Sequence, residues 1–243
     1  MSRSLFYLCL AFVCLFLFSC DASLDTKLKI KSDALGYDFN VTIKEMGESE
    51  KKPIFYITDG ESFLDNNLAL LLDSLTSAKV IPPAYYAFVG SIDERSGENV
   101  RNNLFFCNET YLSFFEQELI PEVEAEIGKT FNPQGRGLIG ISFGGLNAAY
   151  FAAKGNAFQN IAILSPITYP CSELNQSIAF SERKVLNLFL SSGKNDAESY
   201  LAEIHHMFKT KNYNTRVLNT DGSHDFENWK QQLREVIQFL TQP

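Results

Sequence analysis

Ser142 and His224 are the side chains in this sequence whose settings suit nucleophilic chemistry. The serine stands in the pentad Gly140-Ile141-Ser142-Phe143-Gly144, after the apolar run Gly137-Leu138-Ile139 and before Gly145-Leu146-Asn147-Ala148-Ala149-Tyr150. The pattern reads as a buried strand running straight into a helix, with the hydroxyl at the corner between them. Such a turn needs small residues on both sides of the serine, because a side chain there would collide with the neighbouring strand or helix. Gly140 and Gly144 supply that room, and Gly145 lets the helix press close to the sheet. The helix behind the serine starts with unpaired N–H groups and the positive end of its dipole, which suit a developing oxyanion. A glycine-rich turn with serine as a small polar filler has the same letters, so the pentad needs partners.

A serine hydroxyl is a weak nucleophile and requires a base, normally histidine, oriented by a carboxylate. The chain has three histidines. His205 and His206 fall inside an expected helix over 197–209, where adjacent side chains point about 100° apart and serve one reaction centre poorly. His224 differs. It lies in Thr220-Asp221-Gly222-Ser223-His224-Asp225, between the last expected strand and the last expected helix, where a loop at a strand's carboxyl end can reach Ser142. The chain order Ser…Asp/Glu…His then selects Asp196, at the end of Ser191-Ser192-Gly193-Lys194-Asn195-Asp196, directly after an expected buried strand. Glu198 is its nearest competitor, whereas Asp221 and Asp225 are too close in sequence to sit behind the His224 ring. Capping the following helix is the other use open to Asp196. For the oxyanion, two preorganised N–H donors are needed. Phe143 supplies one, and Glu61, in the turn Asp59-Gly60-Glu61, the other; an Asp-Gly pair also reads as a plain turn.

The elements that must carry these residues follow from periodicity. Leu28–Lys31 and Tyr37–Ile43 alternate apolar with polar residues, the mark of a half-exposed antiparallel edge pair. Denser apolar runs predict buried strands at 53–57, 85–90, 160–164 and 185–190, with a further strand at 215–218. Helices are expected through Leu68 to Leu75, through Leu112 to Ile127 with a kink or fresh start at Pro121, and along the stripe Phe226, Trp229, Leu233, Val236 and Leu240. Strands alternating with helices give a mostly parallel sheet covered on both faces. Segment 91–110, rich in charge and asparagine, reads as the largest irregular stretch, lying over the carboxyl edge of the sheet.

The amino terminus carries an address. Met1-Ser2-Arg3-Ser4 precedes an apolar run from Leu5 to Phe18, too short for a comfortable membrane span but matching a signal-peptide core. Its end, Leu17-Phe18-Ser19-Cys20, resembles the lipobox of bacterial lipoproteins, with Phe18 bulkier than usual there. That resemblance implies removal of residues 1–19, a lipid on Cys20, a polar tether over 20–27, and export to a lipid-anchored position in the bacterial cell envelope. An ordinary cleaved signal or an uncleaved anchor remain the alternatives. Residues 28–243 then form a single domain. The mature chain would hold 20 basic and 29 acidic residues, a net charge of −9 against −8 for the whole sequence. With no basic stripe, nucleic acid and anionic head groups are poor partners. Of five cysteines, Cys107 and Cys171 would remain, as a bridge or as two separate thiols. No Cys/His spacing suggests a metal, and the chemistry requires no cofactor.

These motifs together resemble the esterase branch of the α/β-hydrolases, which includes enterochelin esterases, feruloyl esterases, S-formylglutathione hydrolase and mycolyltransferases. Pro53 to Glu61 is similar to the family's strand and oxyanion turn, and Arg101 through Glu118-Leu119-Ile120-Pro121 to its arginine and following helix. Gly140–Gly145, Gly193–Asp196 and Gly222-Ser223-His224-Asp225-Phe226-x-x-Trp229 correspond to its elbow, acid loop and histidine loop. Ser223 replaces a common glycine and Phe226 a common tryptophan, which touches the rim rather than the chemistry. The resemblance implies an α/β-hydrolase fold with an antiparallel N-terminal edge and helices on both faces. It also implies a serine hydrolase for carboxylic esters: a siderophore ester, or an acylated carbohydrate. Some siderophore esterases of this group work with a serine–histidine dyad, which makes Asp196 the least secure member. Arg101 is expected either in the pocket or in a salt bridge within its own loop, and Phe105, Phe106 and Tyr169 either on a substrate ring or in packing. Acyl transfer to another alcohol, and a non-catalytic binding lipoprotein, are the competing functions.

Overall fold

The computed structural model describes residues 25–242. The expected signal segment 1–19, Cys20 and most of the tether lie outside them. β1 (Asp25–Ser32) is already paired with β2 (Tyr37–Met46) from Asp25 opposite Lys44. Residues 25–27, expected in the tether, therefore pair in the sheet. Alternation of lysine with Leu28 and Ile30 allows this earlier start, since an edge strand needs apolar residues on one face only.

Among the described residues, eight strands form one sheet in the order β1-β2-β4-β3-β5-β6-β7-β8. The remaining strands are β3 (Ile54–Thr58), β4 (Ala84–Val89), β5 (Arg136–Ile141), β6 (Asn160–Leu164), β7 (Asn187–Asn195) and β8 (Asn214–Ser223). β1 and β2 are antiparallel, and β2 pairs antiparallel with β4; from β4 to β8 every pairing is parallel. This is the mostly parallel sheet with an antiparallel N-terminal edge that the sequence predicts. Its central strands are buried on both faces, which is why they read as continuous apolar runs. Alternate residues feed two separate cores: Ile54 and Tyr56 of β3 face one, Phe55 and Ile57 the other.

Two helices after β3, α1 (Gly60–Asp65) and α2 (Leu68–Ser77), cover one face of the sheet. The opposite face takes α3 (Arg101–Phe105), α4 (Glu109–Phe114), a π-helical turn (Phe115–Leu119), α5 (Ile120–Ile127), α6 (Phe143–Lys154), α7 (Leu174–Phe180) and α8 (Glu198–Lys209). Last in the chain, α9 (Phe226–Leu240) returns to the face of α1 and α2. Among the described residues no helix is long and apolar enough to cross a membrane. The helix does not restart at Pro121: the backbone stays helical from α4 through the π-turn into α5, and the π-turn sits in the turn before the proline, whose missing N–H cannot continue the ladder.

Three expectations shift. Segment 91–110 is not irregular throughout: Ile92 bridges Asn99, and α3 follows. β7 starts two residues later than expected and runs on to Asn195. β8 extends from Asn214 through Gly222 to Ser223, with a register irregularity opposite Gly193–Asn195. The acid and histidine loops are thus continuations of paired strands, and backbone pairing rather than side-chain pattern decides where they end.

Candidate active site

β5 delivers Ser142 into α6 through a backbone of φ 60° and ψ −120°. A non-glycine residue there is strained, and the surroundings enforce it. The Ser142 N–H donates to the Leu164 carbonyl at 2.9 Å, while its own carbonyl accepts from Leu146 and Ile167 N–H groups, each at 3.2 Å. The flanking glycines earn their positions sterically. A Cβ on Gly140 would run into the Gly144 carbonyl, and one on Gly145 would lie 2.8 Å from the Leu164 carbonyl oxygen.

β7 and β8 bring the other two predicted residues to the serine. His224 Nε2 lies 2.9 Å from Ser142 Oγ, and His224 Nδ1 lies 2.5 Å from Asp196 Oδ1. The imidazole is partly exposed, with 37% of its surface accessible, whereas the Asp196 side chain is wholly covered. Burial pushes the Asp196 carboxyl upward, but hydrogen bonds from His224, Ser165 and the Gly193 N–H outweigh it and leave the group below its ordinary value. Asp196 does not cap α8; that position is Ala197, without a side-chain bond. Asp221 pairs with Lys194 at the surface, and Asp225 accepts from Asn228 N–H as the cap of α9. His205 and His206 sit on α8, away from the serine's immediate partners.

The two expected oxyanion donors stand at the starts of α6 and α1. Phe143 is the first residue of α6, so its N–H has no acceptor within the helix. Glu61 lies in the first turn of α1, where its N–H is equally unclaimed by the helix. Its carboxylate turns away and accepts from the Ser91 N–H at 3.0 Å and the Ser91 Oγ–H at 2.6 Å, fastening α1 to the end of β4. Asp59 precedes α1 in a left-handed conformation (φ 54°) and accepts from Arg101 Nη2 at 2.6 Å; its Oδ1 lies 2.9 Å from Ser91 Oγ, so the two carboxylates share that hydroxyl's single proton. The salt bridge of Arg101 is therefore to Asp59 in the turn before α1, not within its own loop. Its guanidinium also stacks over the Phe143 ring, 5.2 Å from the centroid.

A cavity of about 270 Å³ opens beside Ser142 and His224. Phe63, Ile141, Phe226 and Trp229 give it an apolar wall; Asp59, Ser62, Asn99 and Arg101 give it a polar one. A larger hollow of about 430 Å³, around Glu124 and Arg136, lies at the other end of β5 from the serine. Phe106 packs edge-on against Phe143 at 4.9 Å and Tyr169 does so at 6.2 Å, and Tyr169 stays 70% exposed. Cys107 and Cys171 form a disulfide that ties the segment before α4 to the loop after β6.

Ser165 has no counterpart in the sequence reading. It is fully buried and left-handed (φ 45°), and it donates to Asp196 Oδ2 at 2.5 Å. The run Leu164-Ser165-Pro166 carried one usable signal: a serine directly after a buried strand, next to a proline.

A family model described as "Putative esterase" matches residues 32–240. Iron(III) enterobactin esterase of Escherichia coli O6:H1 (strain CFT073) is 31% identical over 123 residues, covering 49% of this chain and 30% of that protein. An enterobactin esterase from Shigella flexneri, solved in the presence of enterobactin, superposes with a TM-score of 0.77 at 22% identity, over 89% of this chain and 59% of that one. A ferulic acid esterase superposes with a TM-score of 0.74 at 17% identity, over 90% of this chain and 98% of that one. The chain thus spans little more than half the length of the Shigella structure, whereas it matches the ferulic acid esterase nearly end to end.

Proposed function

Since the chain belongs to this esterase family, we propose that it is a serine esterase that cleaves carboxylic esters through an acyl-enzyme formed on Ser142. The observation that carries the reading is the unbroken hydrogen-bonded line from Ser142 Oγ through His224 to a buried, ionised Asp196. In this reading His224 Nε2 takes the serine proton as Oγ attacks the ester carbonyl. Asp196 holds Nδ1–H, fixes the tautomer and stabilises the imidazolium. Phe143 and Glu61 N–H groups receive the oxyanion, in a site whose donors need no reorganisation. The imidazolium then protonates the leaving alkoxide, the acyl-enzyme forms, and water reverses the sequence. No metal or cofactor enters any step.

The small cavity suits a single acyl or alcohol moiety, with the rest of a larger substrate outside it. A siderophore ester related to enterobactin is the first substrate class, in keeping with the E. coli and Shigella relatives; acylated carbohydrates are the second, in keeping with the ferulic acid esterase. Export and lipid attachment at Cys20 belong to the same proposal and rest on the sequence Leu17-Phe18-Ser19-Cys20. A fluorophosphonate probe should label the protein and fail to label Ser142→Ala. Hydrolysis of enterobactin, a feruloylated sugar and acetylated xylan by the same pair of proteins identifies the substrate class. Equal labelling of both proteins would overturn the assignment.

A further inference from the structure

We propose that Ser165 is a positioning residue for the acid–base pair, holding the Asp196 carboxylate through a hydroxyl whose one proton is aimed by the indole of Trp229. The inference rests on the Ser142–His224–Asp196 reading above. Trp229 Nε1–H donates to Ser165 Oγ at 2.8 Å, and Ser165 Oγ–H donates to Asp196 Oδ2 at 2.5 Å. The direction of this chain is forced by chemistry. An indole N–H only donates and an ionised carboxylate only accepts, so the hydroxyl between them must accept from the first and donate to the second. With Oδ2 occupied in this way, Oδ1 is left to His224 Nδ1.

The backbone argues the same role. Ser165 is a non-glycine residue in the left-handed region, a conformation that persists only where surroundings enforce it. Leu164 accepts the Ser142 N–H and Ile167 donates to the Ser142 carbonyl, so residues 164–167 grip the nucleophile's backbone and the acid's side chain together. Trp229 also sets its ring edge-on to His224, with centroids 5.0 Å apart. One indole thereby buttresses the base and orients the group that holds the acid. The Asp196 side chain is fully covered, and each donor to it offsets part of its lost hydration.

Ser165→Gly removes the hydroxyl while relieving the positive φ, which separates the side chain's contribution from backbone strain. It should lower kcat roughly 10- to 100-fold and leave KM within about twofold, as expected for misplaced rather than missing catalytic groups. Trp229→Phe keeps a ring and deletes the N–H; a loss of roughly 3- to 10-fold in kcat is expected. The double variant should be no slower than Ser165→Gly alone, because both changes cut one link, whereas independent structural defects multiply. Trp229 is the sole tryptophan, so its emission should shift in Ser165→Gly as Nε1 loses its acceptor. A Ser165→Gly kcat within twofold of the parent, or losses that multiply in the double variant, would overturn the proposal. Thermal unfolding is followed in parallel; should Ser165→Gly fold poorly, an unchanged kcat in Trp229→Phe overturns it alone. Ser142→Ala separates the two readings: residual full activity there removes the triad itself, while its inactivity beside a fully active Ser165→Gly removes only the role of Ser165.

Discussion

Arg101 Nη2 donates to the Asp59 carboxylate at 2.6 Å, joining residues 42 apart and tying the segment over the sheet to the turn that opens α1. Burial raises the Asp59 carboxyl above its ordinary value, and Arg101 and Ser91 pull against that rise. Arg101→Met should therefore leave a charge in a poor medium and cost about 2–4 kcal/mol at neutral pH, measured by denaturant unfolding. The sign follows from protonation: a carboxyl with a raised folded value contributes its stability below the unfolded value and loses it as pH rises. The Arg101→Met deficit should shrink toward pH 4 and grow toward neutrality. Asp59→Asn combined with Arg101→Met should recover much of the loss, since no unpaired charge remains.

Ser142 occupies φ 60°, ψ −120°, a region that glycine enters freely and alanine does not. Ser142→Gly and Ser142→Ala should both be inactive, but the glycine variant should be the more stable by about 1 kcal/mol. Equal unfolding midpoints for the two would mean that the elbow stores no usable strain.

Asp196→Asn preserves shape and removes charge. A kcat loss of roughly 10³- to 10⁴-fold is expected, because the amide favours the wrong imidazole tautomer. Asp196 lies below its ordinary value through donors that overcome burial, so its stabilising contribution is present above the unfolded value of about 3.8 and is lost as pH falls through the folded one. The asparagine variant should accordingly show a shallower loss of stability on acidification. A working dyad without the acid would appear as a kcat loss below tenfold.

The Cys107–Cys171 disulfide closes a loop of sequence separation 64. Replacing both cysteines by serine should cost about 2–4 kcal/mol, chiefly by freeing the unfolded chain. Because the bridge joins the segments bearing Phe106 and Tyr169, both of which pack against Phe143, KM for aromatic esters should rise more than KM for acetyl esters. Parallel changes in both KM values would confine the bridge to stability.

Local chemistry made much of this protein legible in one dimension. The Gly140–Gly145 elbow announced itself because only small residues fit a strand–helix corner, and β6 was bounded at Asn160 and Leu164 because a strand buried on both faces is an unbroken apolar run. His224 was selected by elimination among three histidines. Asp196 was chosen by chain order, and its carboxylate does meet His224. The ends of β7 and β8 were not readable, since polar residues such as Asn195 and Gly222 extend them through backbone pairing that no side-chain pattern records. Whether Cys107 and Cys171 were bonded stayed open, as did the partner of Arg101, because both depend on which segments fold over the sheet together.

The amino-acid sequence by itself determined the strands and the longer helices, their alternation and the residue types able to attack an ester, because those follow from periodicity, steric bulk and side-chain chemistry within a few neighbouring positions. The short helices α1, α3 and α7 carried no such signal. Tertiary structure alone decided the partnerships: Arg101 with Asp59, Cys107 with Cys171, and Trp229 through Ser165 to Asp196. Each spans dozens of residues, and its directional bonds exist only once parallel strands have brought their carboxyl ends to one edge of the sheet.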